Sequence, residues 1–197
     1  MNQAMIYHGG GFGRGGALSA TVAPLSAGTI YEYLTPDRFV GLPSSGDNPP
    51  RLVTVITPNE ARMYQALEYP PAAWGGAWAL ATIRLHPNFA GGAFFGGVVW
   101  THPTAADSGL SAAWNLSAAG IAGGQTLDFP NSLPTGGPVA SVAPAVAWRE
   151  VQSAETNIGL AGSPAGGALL AVQVYKGSDS LTVPAFFLGA WIRYTLS

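Results

Sequence analysis

Between Arg62 and Asp128 the chain reads RMYQALEYPPAAW, then AWALATIRLHPN, then GAFFGGVVWTHP, then GLSAAWNLSAAGIAGGQTLD. Four apolar, aromatic-bearing runs follow one another, and each is closed by Pro, Gly or Asn. Those are strand lengths and strand breakers. No catalytic signature falls inside them, so this stretch announces a β scaffold.

The pattern continues on both sides. Thr29 to Leu34 alternates, with Ile30, Glu32 and Leu34 on one face and Tyr31 and Tyr33 on the other. Leu52 to Ile56 is a short strand. Trp78 to Leu85 sets Ala79, Ala81, Ile83 and Leu85 opposite Arg84. Phe94 to Thr101 carries Gly96-Gly97, a signal for a bulge or a close approach. Ser111 to Ile121 opposes Trp114 and Leu116 to Asn115 and Ser117. Val139 to Gln152 alternates weakly, with Val142, Val146 and Trp148 expected inside. Ala168 to Tyr175 follows. The clearest strand is Phe186 to Leu196, with Phe186, Leu188, Ala190, Ile192, Tyr194 and Leu196 on one face and Trp191, Arg193 and Thr195 on the other.

Crossover helices are missing, which excludes parallel α/β folds. The fold class expected is all-β, an antiparallel two-sheet sandwich of jelly-roll type. Residues 1–50 form an extended Gly/Pro-rich N-terminal arm and residues 51–197 the sandwich. Such an arm is stable only against a support, and a neighbouring copy or another protein is the natural one.

One segment sets two rules against each other. Thr57-Pro58-Asn59-Glu60 is a capping box with proline at the first helical position, which favours a helix to about Leu67. Yet Met63 to Tyr69 alternates as a strand would.

Composition narrows the function classes. Only 9 % of residues are Asp, Glu, Lys or Arg, against about 25 % in ordinary soluble domains. Hydrophobic residues make up 48 %, and there are 6 Trp, 7 Tyr and 8 Phe. Lys176 is the only lysine, beside seven arginines. Interface cores are depleted in Lys and Glu and enriched in Arg and aromatics, so the balance points to an assembly component. Net charge is −2 and the basic residues do not cluster, which disfavours nucleic acid. Cysteine is absent, so disulfides and thiolate metal sites are not available. No run reaches the roughly 18 apolar residues of a membrane span. The start, MNQAMIYHGGGFGRGG, lacks the layout of a secretion signal.

Candidate chemistry is thin. Gly11, Gly13 and Gly16 spell a formal GxGxxG, but no helix follows to hold a phosphate. His86 and His102 precede prolines at strand ends and lie too far apart to share a metal if those strands run antiparallel. They read as hydrogen-bonded strand-end histidines, and His8 lies in the glycine-rich arm. No G-x-S-x-G elbow exists. Glu68 with Glu150 or Glu155 is the nearest thing to a glycosidase pair. Asp107, Asp128 and Asp179 lack the ligand spacing of a calcium loop. Asn115-Leu116-Ser117 is a chance glycosylation triplet in mid-strand. No catalytic residue, cofactor or metal is expected, and the chain reads as a non-enzyme. Trp74, Trp78, Trp100 and Trp191 read as core or subunit-interface anchors, with a sugar-stacking platform as the competing reading. Phe12 and Arg14 are interface candidates in the arm.

The series ALEYPPAAWGG, ATIRLHPN, VVWTHP, AAWNLSAAGIAGGQTLD and GGALLAVQVYKGSDSLTVPAFFLGAWIRYTL resembles a domain of tailed-bacteriophage virion proteins over roughly residues 62 to 197. The loop around Asp179 lacks the acidic and Arg-rich character often found in that group, and residues before 50 have no counterpart in it. The resemblance implies a jelly-roll, usually trimeric module of capsid decoration (cement) or fibre-knob type. It favours at most a helical turn over Asn59 to Arg62, then a strand from Met63. It also implies the partners: further copies of this chain in a homotrimer, and the major capsid protein or another virion protein reached through the arm. Location in the virion after assembly in the host cytoplasm follows. The competing expectation is a tail-fibre or head-fibre knob that binds a host glycan.

Overall fold

Alternating apolar residues bounded by Pro and Gly become strands wherever the backbone finds a partner. The computed structural model describes residues 28–42, 49–57, 63–71, 77–121, 139–177 and 180–197. Twelve strands run through them: β1 (Thr29–Leu34), β2 (Val40–Leu42), β3 (Arg51–Ile56), β4 (Met63–Tyr69), β5 (Ala77–Arg84), β6 (Phe94–Thr101), β7 (Ser111–Ile121), β8 (Val139–Val142), β9 (Val151–Gln152), β10 (Thr156–Ala161), β11 (Leu169–Lys176) and β12 (Ala185–Thr195). The only helical pieces among the described residues are 3₁₀ turns at Pro36–Arg38 and Ala105–Asp107. Met63–Tyr69 is a strand, as the alternation required. The helical turn expected at Asn59 to Arg62 lies outside the described residues.

Two sheets result. In sheet A, β12 is central, with β6 along one side and β1 and β4 sharing the other, while β3 extends from β4. In sheet B the order is β2, β5, β11, β7, with β8 on the far side of β7. β10 joins the two. Its first half, Thr156 to Ile158, pairs with β6, and its second half, Gly159 to Ala161, pairs with β7. A strand that changes sheet in this way makes a corner of a sandwich. The all-β sandwich is thus the fold adopted, with one departure from an antiparallel design: β10 runs parallel to β7. Residues 29–42, expected as part of the arm, place β1 beside β12 and β2 beside β5.

Between the sheets lies a core rich in rings. Tyr69 and Trp114 meet edge to face at 5.2 Å, Phe39 and Phe187 at 5.1 Å, and Trp100 lies 5.9 Å from Trp114. Leu116, Ile158, Val172, Val174 and Ile192 fill the space around them. Full burial of one such aliphatic side chain contributes roughly 1.5–3 kcal/mol.

Two face assignments come out differently from the sequence expectation. In β12, Ala190, Ile192 and Tyr194 do point inward, as does Leu196 just past its end, but Phe186 and Leu188 do not; Ala185 and Phe187 are buried instead. The register against β6 shifts between Phe187 and Gly189, and one extra residue in a strand inverts the parity of everything before it. In the 139–152 segment, Val142 and Val146 are exposed, while Ser141 and Ala143 are buried. Here the Ser141 hydroxyl accepts a 2.9 Å hydrogen bond from Trp100 Nε1. That pairing turns Ser141 inward and Val142 outward. Trp148 is half-buried and packs on Phe186 at 5.4 Å.

Candidate functional site

On the outer face of sheet A, β1, β12 and β6 lie side by side. Alternation sends Tyr31 and Tyr33, Trp191 and Arg193, and Phe95 and Gly97 outward. The register arranges them in two rows, Tyr33–Trp191–Gly97 and Tyr31–Arg193–Phe95. Gly97 lets the indole lie down. A Cβ built there would stand 2.8, 2.9 and 3.0 Å from Nε1, Cε2 and Cζ2 of Trp191, so the ring lies across that point, flat against the strand. Gly189 makes room for the end of Tyr33: a Cβ there would collide with the phenol hydroxyl, which donates to the Leu188 carbonyl at 3.1 Å.

Polar groups border these rings. Arg193 sits 4.5 Å above the centre of the Phe95 ring, a cation–π contact. It also donates two hydrogen bonds to Glu155, at 2.6 and 3.2 Å. Tyr31 leans toward Trp191, with centroids 6.3 Å apart. Tyr31 and Tyr33 remain 52 % and 50 % exposed. Burial and, second, the charge of Glu150 push the Tyr33 hydroxyl pKa upward, so Glu150 lies close enough to be felt.

A second surface lies on the β3–β4 hairpin. On β4, the row Tyr69, Leu67, Gln65, Met63 starts inside the core and runs out of it. Tyr69 and Leu67 are fully buried; Met63 and its cross-strand partner Ile56 are 72 % and 61 % exposed. Leu52, on the same row of β3, is also exposed. β3 pairs with β4 alone among the described strands, leaving its other edge without a strand partner there. The polar pair Gln65 and Thr54 separates the buried end of this row from exposed Met63 and Ile56, which lie beside the open edge of β3.

Inside the molecule, His102, Asp107 and Thr182 form a buried polar knot. Asp107 Oδ1 and Oδ2 accept from the Thr182 hydroxyl and backbone N–H at 2.6 and 2.7 Å. His102 Nε2 faces Asp107 Oδ2, and Nδ1 faces the Thr104 carbonyl at 2.7 Å. Both ring nitrogens thus have oxygen partners. Burial alone would raise the Asp107 pKa; the hydrogen bonds from Thr182 and the His102 charge outweigh it and hold the carboxyl below its usual value.

The remaining sequence candidates fall in separate places. Trp100 is in the core. Trp78 is half-buried on the outer face of sheet B, and Trp191 lies on the outer face of sheet A. These three therefore do not form one platform. Trp74, Phe12, Arg14, His8, Asp128, Asp179 and the glycines at 11, 13 and 16 lie outside the described residues. Glu68 is engaged by Arg51 at 2.9 Å and Glu155 by Arg193. His86 Nδ1 accepts from the Asn88 N–H at 3.1 Å. Among the described residues no three His, Asp or Glu side chains converge to hold a metal, and no helix is long and apolar enough to cross a membrane. From the sequence, Tyr31, Tyr33 and Arg193 are assigned to strand faces but not to a site, and Glu155 is weighed only as a carboxylate partner of Glu68. Their signals were the Tyr-x-Tyr alternation and the glycines at 97 and 189.

No family model and no curated protein sequence matches the chain. Among solved structures, it is similar to the exo-β-1,3-galactanase of Phanerochaete chrysosporium (10 % identity, TM-score 0.41, 86 % of this chain and 29 % of that one). It is similar to the CBM22-1–GH10 modules of xylanase 10B from Clostridium thermocellum (11 %, 0.41, 84 % and 28 %). A third is the K1 adhesin domain of Lys-gingipain from Porphyromonas gingivalis (15 %, 0.40, 84 % and 97 %). The chain spans less than a third of the first two. At TM-scores this low, none of the three bears on function.

Proposed function

We propose that this chain is a non-enzymatic structural protein of a tailed-bacteriophage virion, a decoration protein that self-associates, as a trimer, and cements the coat lattice. The observation that carries self-association is the β3–β4 row. Tyr69 and Leu67 end the core, and beyond the polar pair Gln65 and Thr54 the same face carries the exposed apolar pair Met63 and Ile56 beside the open edge of β3. The occupant most consistent with a chain of 9 % charged residues is another copy of itself, since its complementary surface is equally poor in charge. The virion assignment rests on the sequence resemblance over residues 62 to 197. Added buried area would then hold coat subunits together by mass action.

Two measurements test this. Light scattering on the purified protein should give a trimer, and Ile56→Lys with Met63→Lys should yield folded monomers. Protein quantification of particles from the phage encoding this chain should find it in hundreds of copies. A wild-type monomer at tens of micromolar that is also missing from particles would end this reading. A second reading, a glycan-binding fibre knob, is favoured by the aromatic outer face of sheet A.

A further inference from the structure

We infer that the outer face of sheet A, around Trp191, Tyr31, Arg193 and Glu155, is a saccharide-binding shelf. This deepens the knob reading and is independent of the assembly surface. Phe187 and Leu67 face each other across β12 and β4 on the inner side of sheet A, both fully buried. The shelf lies on the outer side, so the two surfaces occupy opposite faces of that sheet.

A tryptophan that only filled space would stand among side chains. Trp191 instead lies on a glycine, with its inner face on Gly97 and its outer face turned away from the sheet. The hydroxyl end of Tyr33 likewise reaches over Gly189, where a Cβ would meet it. Gly97 therefore seats a low, flat indole on a sheet that would otherwise be corrugated by side chains, and Gly189 clears space for the end of Tyr33 beside it. Flat rings fit a ligand with a flat apolar face.

The second observation is the ion pair at the border. A protein interface with an aromatic centre is depleted in Glu, and burying Arg193 with Glu155 under a dry partner would carry a desolvation penalty. A pyranose has the matching chemistry. One face presents C–H groups to an aromatic ring, and its edge presents hydroxyls that both donate and accept. Glu155 accepts, Arg193 donates, and their mutual bonds of 2.6 and 3.2 Å hold both in place before any ligand arrives. The Arg193 stack on Phe95 fixes the guanidinium further. Tyr31, 6.3 Å from Trp191 and tilted 39°, forms a side wall. A mainly apolar floor with a few fixed polar groups is the general form of a small-ligand site, and pre-organisation lowers the cost of binding.

The test is a glycan array probed with the full chain, followed by calorimetric titration of the soluble oligosaccharides that bind. Wild type should bind at least one saccharide class. Trp191→Ala should weaken that binding at least tenfold, and Glu155→Gln severalfold. Gly97→Ala retains the indole but pushes it off the strand, and it too should weaken binding. Ile56→Lys with Met63→Lys should bind as wild type does, which separates failure of the shelf from failure of the assembly reading. Each variant is checked for cooperative unfolding. The inference is overturned if folded wild type binds no saccharide on the array or in millimolar titration, or if Trp191→Ala binds equally well. It is also overturned if the shelf substitutions abolish self-association or particle incorporation with no saccharide bound, since the face is then a protein interface.

Discussion

His102 Nε2 stands 3.0 Å from Asp107 Oδ2, and the two side chains are 0 % and 2 % exposed. The pair fastens three separate pieces of chain. His102 follows β6, Asp107 ends the 3₁₀ turn before β7, and Thr182, held by both carboxylate oxygens, lies just ahead of β12. Removing one partner leaves the other buried without its bond, which typically costs about 3–5 kcal/mol. We expect Asp107→Ala to lose stability on that scale in urea unfolding. A change of under about 0.5 kcal/mol, the size of an ordinary surface substitution, would show that the knot does not hold these segments.

Acid should reveal the same carboxylate. The Asp107 pKa is depressed in the folded chain, against about 3.9 when unfolded. The stability it contributes is therefore complete above the unfolded value and is lost as pH falls through the folded one. We expect urea midpoints of the wild type to fall below about pH 4 more steeply than those of Asp107→Asn, which lacks the titrating group. Parallel pH profiles for the two proteins would refute this.

Two core tryptophans differ in one bond. Trp100 Nε1 donates to Ser141 Oγ at 2.9 Å, whereas Trp114 Nε1 has no hydrogen-bond partner among the described residues. Replacing either by Phe leaves a cavity, but only Trp100→Phe also strands a buried hydroxyl. We expect it to cost about 1 kcal/mol more than Trp114→Phe, measured by chemical unfolding. The reverse order would mean that the Ser141 bond contributes nothing.

Lys176, the chain's single lysine, is fully buried and donates to the Pro70 carbonyl at 2.9 Å. Amine-reactive reagents should therefore spare Lys176 in the native protein and modify it after unfolding. Peptide mass mapping reads this directly. Rapid native modification of Lys176 would contradict its burial.

What the sequence determined by itself was the kind of element and, in places, its ends. The breakers around Phe94 to Thr101 and Ser111 to Ile121 bounded β6 and β7 to the residue. Alternation put Ala79, Ala81, Ile83 and Leu85 on the inner face of sheet B. These are local properties, since side-chain direction in a strand repeats every two residues whatever lies beside it.

Phase and partnership were decided only by tertiary structure. The bulge at Gly189 turned Phe186 and Leu188 away from the core, and the bond between Trp100 and Ser141 turned Val142 out. β10 crosses from one sheet to the other because it has unpaired neighbours on both sides of a corner, not because of any pattern in Thr156 to Ala161. The shelf was equally hidden. Tyr31 comes from near the chain's start, and Trp191 and Arg193 from near its end. Gly97 becomes a seat for an indole only once β6 lies beside β12. Composition and alternation are written along the chain; register is set by hydrogen bonds between strands far apart in it, and register decides which side chains meet.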